Sequence, residues 1–335
     1  MIAITAFLTG GTGFIGANLV RELLQKGYSV KALARPNSDL NNLRDLDLEI
    51  VTGDLNSPDL DKMMAGCQVL FHVAARYSLW QKEKDILHRS NVLGTRNILA
   101  AAKRAKIERI VYTSSVAAIG VGKAGEIVDE THQSPVDNLI GHYKKSKYYA
   151  ELEAINAARS GQDIVIVNPS TPIGPYDLKP TPTGEIILRF LNRQMPAYVD
   201  TGLNFIDVRD VAKGHILALE KGKTAERYIL GNENLSLKAL LDRLSQITGL
   251  PTPKNTVPLW LPLTVAAIDE YILSFFGKSP NLAVDGVKMS AQKMYYNPAK
   301  AIKELGLPQS SVTIALQDAV NWFENRRDVS SLKNK

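Results

Sequence analysis

The chain has 335 residues, a formal net charge of +6 and one cysteine, Cys67. That length can bury a large core and suits two lobes, while a lone cysteine excludes an internal disulfide. Its lysines and arginines are interspersed with acids, so no nucleic-acid partner is expected. The five histidines, at 72, 88, 132, 142 and 215, lack metal-ligand spacing, and no metal is expected. The N-terminus has no basic region ahead of its short apolar run. A secretory signal is therefore not expected, and the cytoplasm is the expected location.

Ile2-Ala3-Ile4-Thr5-Ala6-Phe7-Leu8 is a short apolar, β-favouring run that reads as a buried strand. It enters Thr9-Gly10-Gly11-Thr12-Gly13-Phe14-Ile15-Gly16, and a helix follows with Phe14, Ile15, Leu19, Leu23 and Leu24 on its apolar stripe. Gly27 stops that helix, and Tyr28–Ala34 forms a second strand, completing a βαβ unit. Glycines in such a turn allow close backbone approach to a pyrophosphate, and the helix start offers N–H groups and a positive dipole end. Gly10, Thr12, Gly13, Phe14, Ile15 and Gly16 are thus the expected phosphate turn of a dinucleotide site. The second strand ends in Ala34-Arg35-Pro36, with no acid at its tip. Arg35 offers a planar fork suited to the extra phosphate of NADP, the preferred cofactor, and NAD remains open.

Further strands are expected near 48–52, 68–73, 109–113 and 163–168, with helices between them. This alternation predicts a Rossmann-type doubly wound parallel sheet of the α/β class. Cys67 adjoins the fourth strand and reads as a buried, inert thiol. Residues 1–168 are expected to form the NAD(P)-binding domain. After Asn168 the chain becomes rich in proline and glycine, and 169–330 is expected to be mainly a substrate-binding lobe. Helices are expected there near 184–194, 209–220, 236–248, 258–275 and 312–326.

Tyr143 and Lys147 stand four residues apart on an expected helix, so they share a face. A cation beside a phenol favours the phenolate and draws its pKa toward neutrality. The same spacing also describes many ordinary solvated helix faces. Lys144 and Lys145 point elsewhere on the helix and are expected to be solvated.

The spacing Gly10-x-x-Gly13-x-x-Gly16, taken with Tyr143-x-x-x-Lys147, resembles the extended short-chain dehydrogenase/reductase family of epimerases, dehydratases and dihydroflavonol-type reductases. Gly53-Asp54-Leu55, Phe71-His72-Val73-Ala74-Ala75, Asn91–Thr95 and Thr113-Ser114-Ser115 extend the resemblance over nearly the whole chain. It implies that Tyr143, Lys147 and Ser115 are catalytic, with Ser114 the competitor of Ser115. It also implies Asp54 and Leu55 beside an adenine, and His72 and Ala74 under the pyrophosphate and ribose. Ser170 would lie near the nicotinamide carboxamide, and Asn91 would hold the backbone of the active-site helix. A smaller, interlaced C-terminal lobe, a small-molecule substrate and a homodimer are further implications.

The segments 168–175, 179–184, 195–204 and 284–289 resemble the hopanoid-associated sugar epimerases, which are also similar to dihydroflavonol 4-reductases. Epimerisation is the first functional expectation, and NADPH-dependent carbonyl reduction is the alternative. A non-catalytic NADP-binding regulatory protein is a third. The substrate would be a sugar, a sugar-lipid or a ketone. Ile119 replaces a tyrosine common in nucleotide-sugar epimerases, and Gly120 falls where plant reductases carry an Asn or Asp. Residues 257–276 are apolar apart from Asp269 and Glu270. A buried helix of the substrate lobe is expected there, with membrane-surface contact through Trp260, Phe275 and Phe276 as the alternative.

Overall fold

A computed structural model describes residues 4–333 except Ala124, with side chains through Arg326. Ile2 and Ala3 of the expected first strand lie outside the described residues. Seven strands form the main sheet, in the order Arg227–Leu230, Ile164–Pro169, Arg109–Thr113, Val69–His72, Thr5–Thr9, Ser29–Ala34, Glu49–Thr52. Every neighbouring pair is parallel. Strand order reverses between Thr5–Thr9 and Val69–His72, which opens a crevice at their carboxyl ends.

The alternating side chains of each strand feed two separate cores. Ala6 and Leu8 pack on one face, with Leu19, Leu23, Val211 and Ile216 from the helices Phe14–Gln25 and Val208–Lys221. Phe7 packs on the other, with Ile98, Leu99, Ala150 and Ala154 from the helices Gly94–Arg104 and Gly141–Arg159. The alanines at 150, 154 and 158 let the latter helix lie close to the sheet, which positions its polar stripe.

A second, five-stranded sheet contains Glu233–Ser236, Gly202–Asp207, Lys293–Tyr296 and Ile127–Val128, with Thr171–Ile173 pairing against Gly202–Asp207. A third core, including Ile187, Phe205, Leu240 and Leu316, lies against it. The two sheets exchange segments. Val208–Lys221, Arg227–Leu230 and Ala299–Leu305 return to the main sheet, while Ile127–Val128 leaves the N-terminal half for the second one. The seventh main-sheet strand escapes sequence reading because Arg227-Tyr228-Ile229-Leu230 is too short to show a period. Its pairing with Ile164–Pro169 makes it a strand.

Two expectations need correction. The helix Trp260–Phe275 buries only Ala266, so it is not a buried helix. Lys144 is not solvated: it is 5% exposed, and its Nζ lies 3.7 Å from the Met294 thioether. The strand Lys293–Tyr296, distant in sequence, covers it. Cys67 is buried, and burial raises its thiol pKa.

Burial lowers the pKa of Lys144 from 10.5 to about 8, because the ammonium loses water without gaining an oxygen partner. A base held below its unfolded pKa costs stability while both states are protonated. The cost is full below the folded value and disappears as pH rises past the unfolded one. Lys144→Met should therefore stabilise the fold at pH 7 by about 1–3 kcal/mol in urea denaturation. The gain should shrink as pH rises from 8 toward 10.5, and a loss of stability would contradict this account.

Candidate active site

The glycine turn occupies the crevice between the first and fourth strands. Gly10 adopts φ +79°, and a Cβ there would come within 2.6 Å of the Ala74 backbone nitrogen. Glycine is needed both for the left-handed conformation and for contact with the fourth strand's end. Gly13 donates its N–H to the Gly10 carbonyl at 3.0 Å and caps the helix Phe14–Gln25 without a side chain. The N–H groups of that first turn have no intrahelical partners, so they can receive a phosphate. Asn42 donates to the carbonyls of Thr12 and Tyr176, at 3.2 and 3.0 Å, and Asn18 donates to Pro175 O at 3.1 Å. These bonds fasten the loop after Thr171–Ile173 to the turn and its helix.

Arg35 follows the second strand with an exposed side chain, its backbone closed into a turn by Ser38. Asp54 is exposed after the third strand and accepts from Asn56 N at 2.6 Å, while Leu55 is half-buried against Gly94. His72 is sealed inside. Its Nδ1 lies 2.7 Å from Thr9 Oγ1 and its Nε2 3.1 Å from Thr95 Oγ1. Burial, reinforced by the nearby Lys147 charge, lowers its pKa to about 3. With both ring nitrogens engaged, the imidazole braces the strand ends. Ala74 donates its N–H to the same Thr9 hydroxyl at 3.2 Å.

Tyr143 and Lys147 lie on one face of the helix Gly141–Arg159, which packs on the sixth main-sheet strand and brings Lys147 to the end of the fifth. Lys147 is 3% exposed, and its Nζ donates to Thr113 O at 2.9 Å. Burial lowers its pKa to about 8, partly opposed by the Glu151 carboxylate. The Tyr143 ring meets Tyr77 edge-on at 4.5 Å between centroids. Burial raises the phenol to about 12, against an opposing hydrogen bond with Ser115. The shift is upward here, whereas a cation beside a phenol draws it down. The Lys147 ammonium is directed at Thr113 O, and desolvation sets the direction of the phenol's shift.

Ser115, rather than Ser114, faces Tyr143. Ser114 is buried, and its hydroxyl has no hydrogen-bond partner among the described residues. Ser115 caps the short helix Val116–Ile119 through Ala117 N and is partly open. Ser170 follows the sixth strand with a buried hydroxyl that also lacks a partner among the described residues. This orphaned oxygen, together with the open cradle of the glycine turn, fits a nicotinamide dinucleotide extended along the strand ends.

Sequence reading missed three members of this site. Asn168 donates to Ser115 O at 3.0 Å and to Glu151 Oε2 at 2.7 Å. Glu151 pairs with Arg227 at 3.1 Å, so the returning seventh strand helps fix the serine. Tyr77 covers the phenol. Glu151 was detectable, since it extends the Tyr143–Lys147 spacing by another four residues. Asn91 holds the helix as anticipated: it donates to Ser146 Oγ and Arg76 O, both at 2.9 Å, and Ser146 donates to Tyr143 O. The Gly120 departure is structural. With φ +92° and Ser134 pressed against the position, no side chain fits. Its carbonyl accepts from Tyr296 OH at 2.8 Å.

A sequence model of the NAD dependent epimerase/dehydratase family matches residues 6–231. The chain is 67% identical over 323 residues to a Synechocystis sp. protein named "Putative dihydroflavonol 4-reductase", covering 95% of this chain and 94% of that one. It is 34% identical to "Sterol demethylase protein B" of Methylococcus capsulatus, covering 96% and 99%. A solved structure, gox2253, superposes with a TM-score of 0.85 at 43% identity, covering 96% and 98%. A Rossmann sheet, a glycine turn at its switch point and this family match give one conclusion: the chain is an enzyme of the NAD-dependent epimerase/dehydratase family, the extended short-chain dehydrogenases/reductases.

Proposed function

We propose that this enzyme reduces a carbonyl of a largely apolar molecule to an alcohol, with NADPH as its preferred cofactor. The nicotinamide, when bound, supplies the hydride. Residues Gly10–Gly16, with Thr12, Phe14 and Ile15, would hold the pyrophosphate, and Arg35 the ribose phosphate. Asp54 and Leu55 would flank the adenine, Ala74 and the backbone of His72 would lie beneath the pyrophosphate and ribose, and Ser170 would bind the carboxamide. Lys147 would hold the nicotinamide ribose while it is anchored on Thr113 O.

The observation that carries this reading is the 67% identity, over 95% of the chain, to a protein named as a reductase, set beside the pairing of Tyr143 with Ser115. At neutral pH a tyrosine is protonated and can give its proton to a carbonyl oxygen as hydride arrives at the carbon, which is what reduction requires. Ser115 would donate to the same oxygen and fix its position, as Asn168 fixes Ser115. The names of the Synechocystis and Methylococcus relatives, one a reductase and one concerned with a sterol, add support for an apolar substrate.

Hopanoid-associated sugar epimerisation is the second reading, favoured by the resemblance of 168–175, 195–204 and 284–289. An epimerase returns its hydride and consumes no cofactor. A homodimer is proposed through the exposed Tyr149 and Leu152 of the helix Gly141–Arg159.

Incubation with a hydrophobic ketone should consume one NADPH per alcohol formed, read by nicotinamide absorbance. Product turnover without such loss would select the epimerase. Tyr143→Phe should lower kcat by about 10²–10⁴-fold with NADPH affinity unchanged; unchanged turnover would refute the acid role. Arg35→Asp should weaken NADPH binding by roughly 10–100-fold and spare NADH, as expected for loss of a charged phosphate contact. Equal affinity of the unmodified enzyme for both cofactors would refute the NADP preference.

A further inference from the structure

The helix Trp260–Phe275 turns the usual amphipathic arrangement inside out. Trp260, Val265, Ile268, Tyr271, Ile272 and Phe275 are exposed, with Trp260 at 65%, Tyr271 at 78% and Phe275 at 81%. At about 100° per residue they fall on one side of the helix, and no charged residue shares it. Its two acids lie on the inner side. Asp269 accepts from Leu282 N at 2.9 Å and Asn281 Nδ2 at 3.2 Å, and Glu270 accepts from Val284 N at 3.1 Å. Charge is thereby bound to the protein, and a continuous aromatic and aliphatic face is left outward. Such a face on a water-soluble surface marks a place where water is excluded by something else.

We propose that this face docks the protein on an anionic lipid bilayer, with the helix lying in the plane of the interface. Charge indicates the occupant. Between residues 251 and 284 the only acids are the two already bonded inward, while Lys254 and Lys278 are exposed beyond either end of the helix. Lys82 adds a third cation at the helix's C-terminal end, donating to Ser274 O at 2.8 Å. An apolar face with cationic edges complements acyl chains beneath anionic headgroups. No helix among the described residues is long and apolar enough to cross a membrane, so the contact is interfacial.

Position favours a bilayer over a second copy of the chain. Trp80 Nε1 donates to Ser274 Oγ at 3.1 Å, and three residues earlier Tyr77 lies edge-on to Tyr143. The segment from Tyr77 to Trp80 therefore joins the helix to the margin of the candidate site. A second copy seated there would close that margin. A bilayer surface would instead bring apolar molecules to it. The docking itself does not depend on which reaction the site performs.

Flotation of the full chain with two kinds of vesicle tests this: phosphatidylcholine alone, and phosphatidylcholine with phosphatidylglycerol. Unmodified protein should float with the anionic vesicles and much less with the neutral ones. Ile268→Glu combined with Phe275→Glu should cut the bound fraction at least about tenfold. Lys254→Glu with Lys278→Glu, both at exposed positions that need no repacking, should also weaken anionic-vesicle binding. Failure of the unmodified protein to float, equal flotation with both vesicles, or flotation unaffected by either pair would overturn the proposal. So would light scattering showing a dimer that the apolar-face pair converts to monomer, with no vesicle binding. That result would identify the face as a contact between copies.

Discussion

Lys147 keeps an ammonium inside a protein, and much of the surrounding structure answers that demand. Its charge is met by Thr113 O at the end of a central strand and by Glu151 one turn further along the same helix. Glu151 is in turn held by Arg227 and Asn168. Asn168 reaches Ser115, so one polar chain links the lysine to the serine that faces the phenol. Removing a member of such a chain leaves a buried polar group unpaired, which costs more than the bond itself is worth. The chemistry and the stability of this region therefore depend on the same residues.

That chain also explains why the two lobes are interlaced. Arg227 comes from a strand that follows the proline-rich crossover, yet it completes the main sheet beside Ile164–Pro169. Ile127–Val128 travels the other way and pairs with Lys293–Tyr296. Tyr296 donates its hydroxyl to Gly120 O, so the second sheet props the loop behind Ser115. Each lobe thereby supplies struts for the other's part of the site, and a substrate held between them would meet groups fixed from both sides.

Burial gives this site its electrostatic character. The same low-dielectric packing lowers the two lysines, neutralises His72 and keeps Tyr143 protonated. These shifts share one cause and different consequences. For Lys144 desolvation is a cost with no evident role in the reaction. For Tyr143 it disfavours the phenolate.

Sequence by itself determined the parallel sheet, the glycine turn and the Tyr143–Lys147 face, because each is a local pattern. Strand period, helix spacing and turn glycines are written in consecutive residues. It also fixed the choice of Arg35 as the residue at the second strand's tip. Only the tertiary structure decided the rest. The exposure of Trp260–Phe275, the burial of Lys144, the seventh strand and the direction of the Tyr143 shift depend on neighbours distant in sequence, as Met294 is from Lys144 and Ile166 from Arg227. Apolar composition reads the same for a helix facing inward or outward, and an i, i+4 pair reads the same in water or beneath a packed ring. The environment that settles those alternatives exists only once the chain has folded.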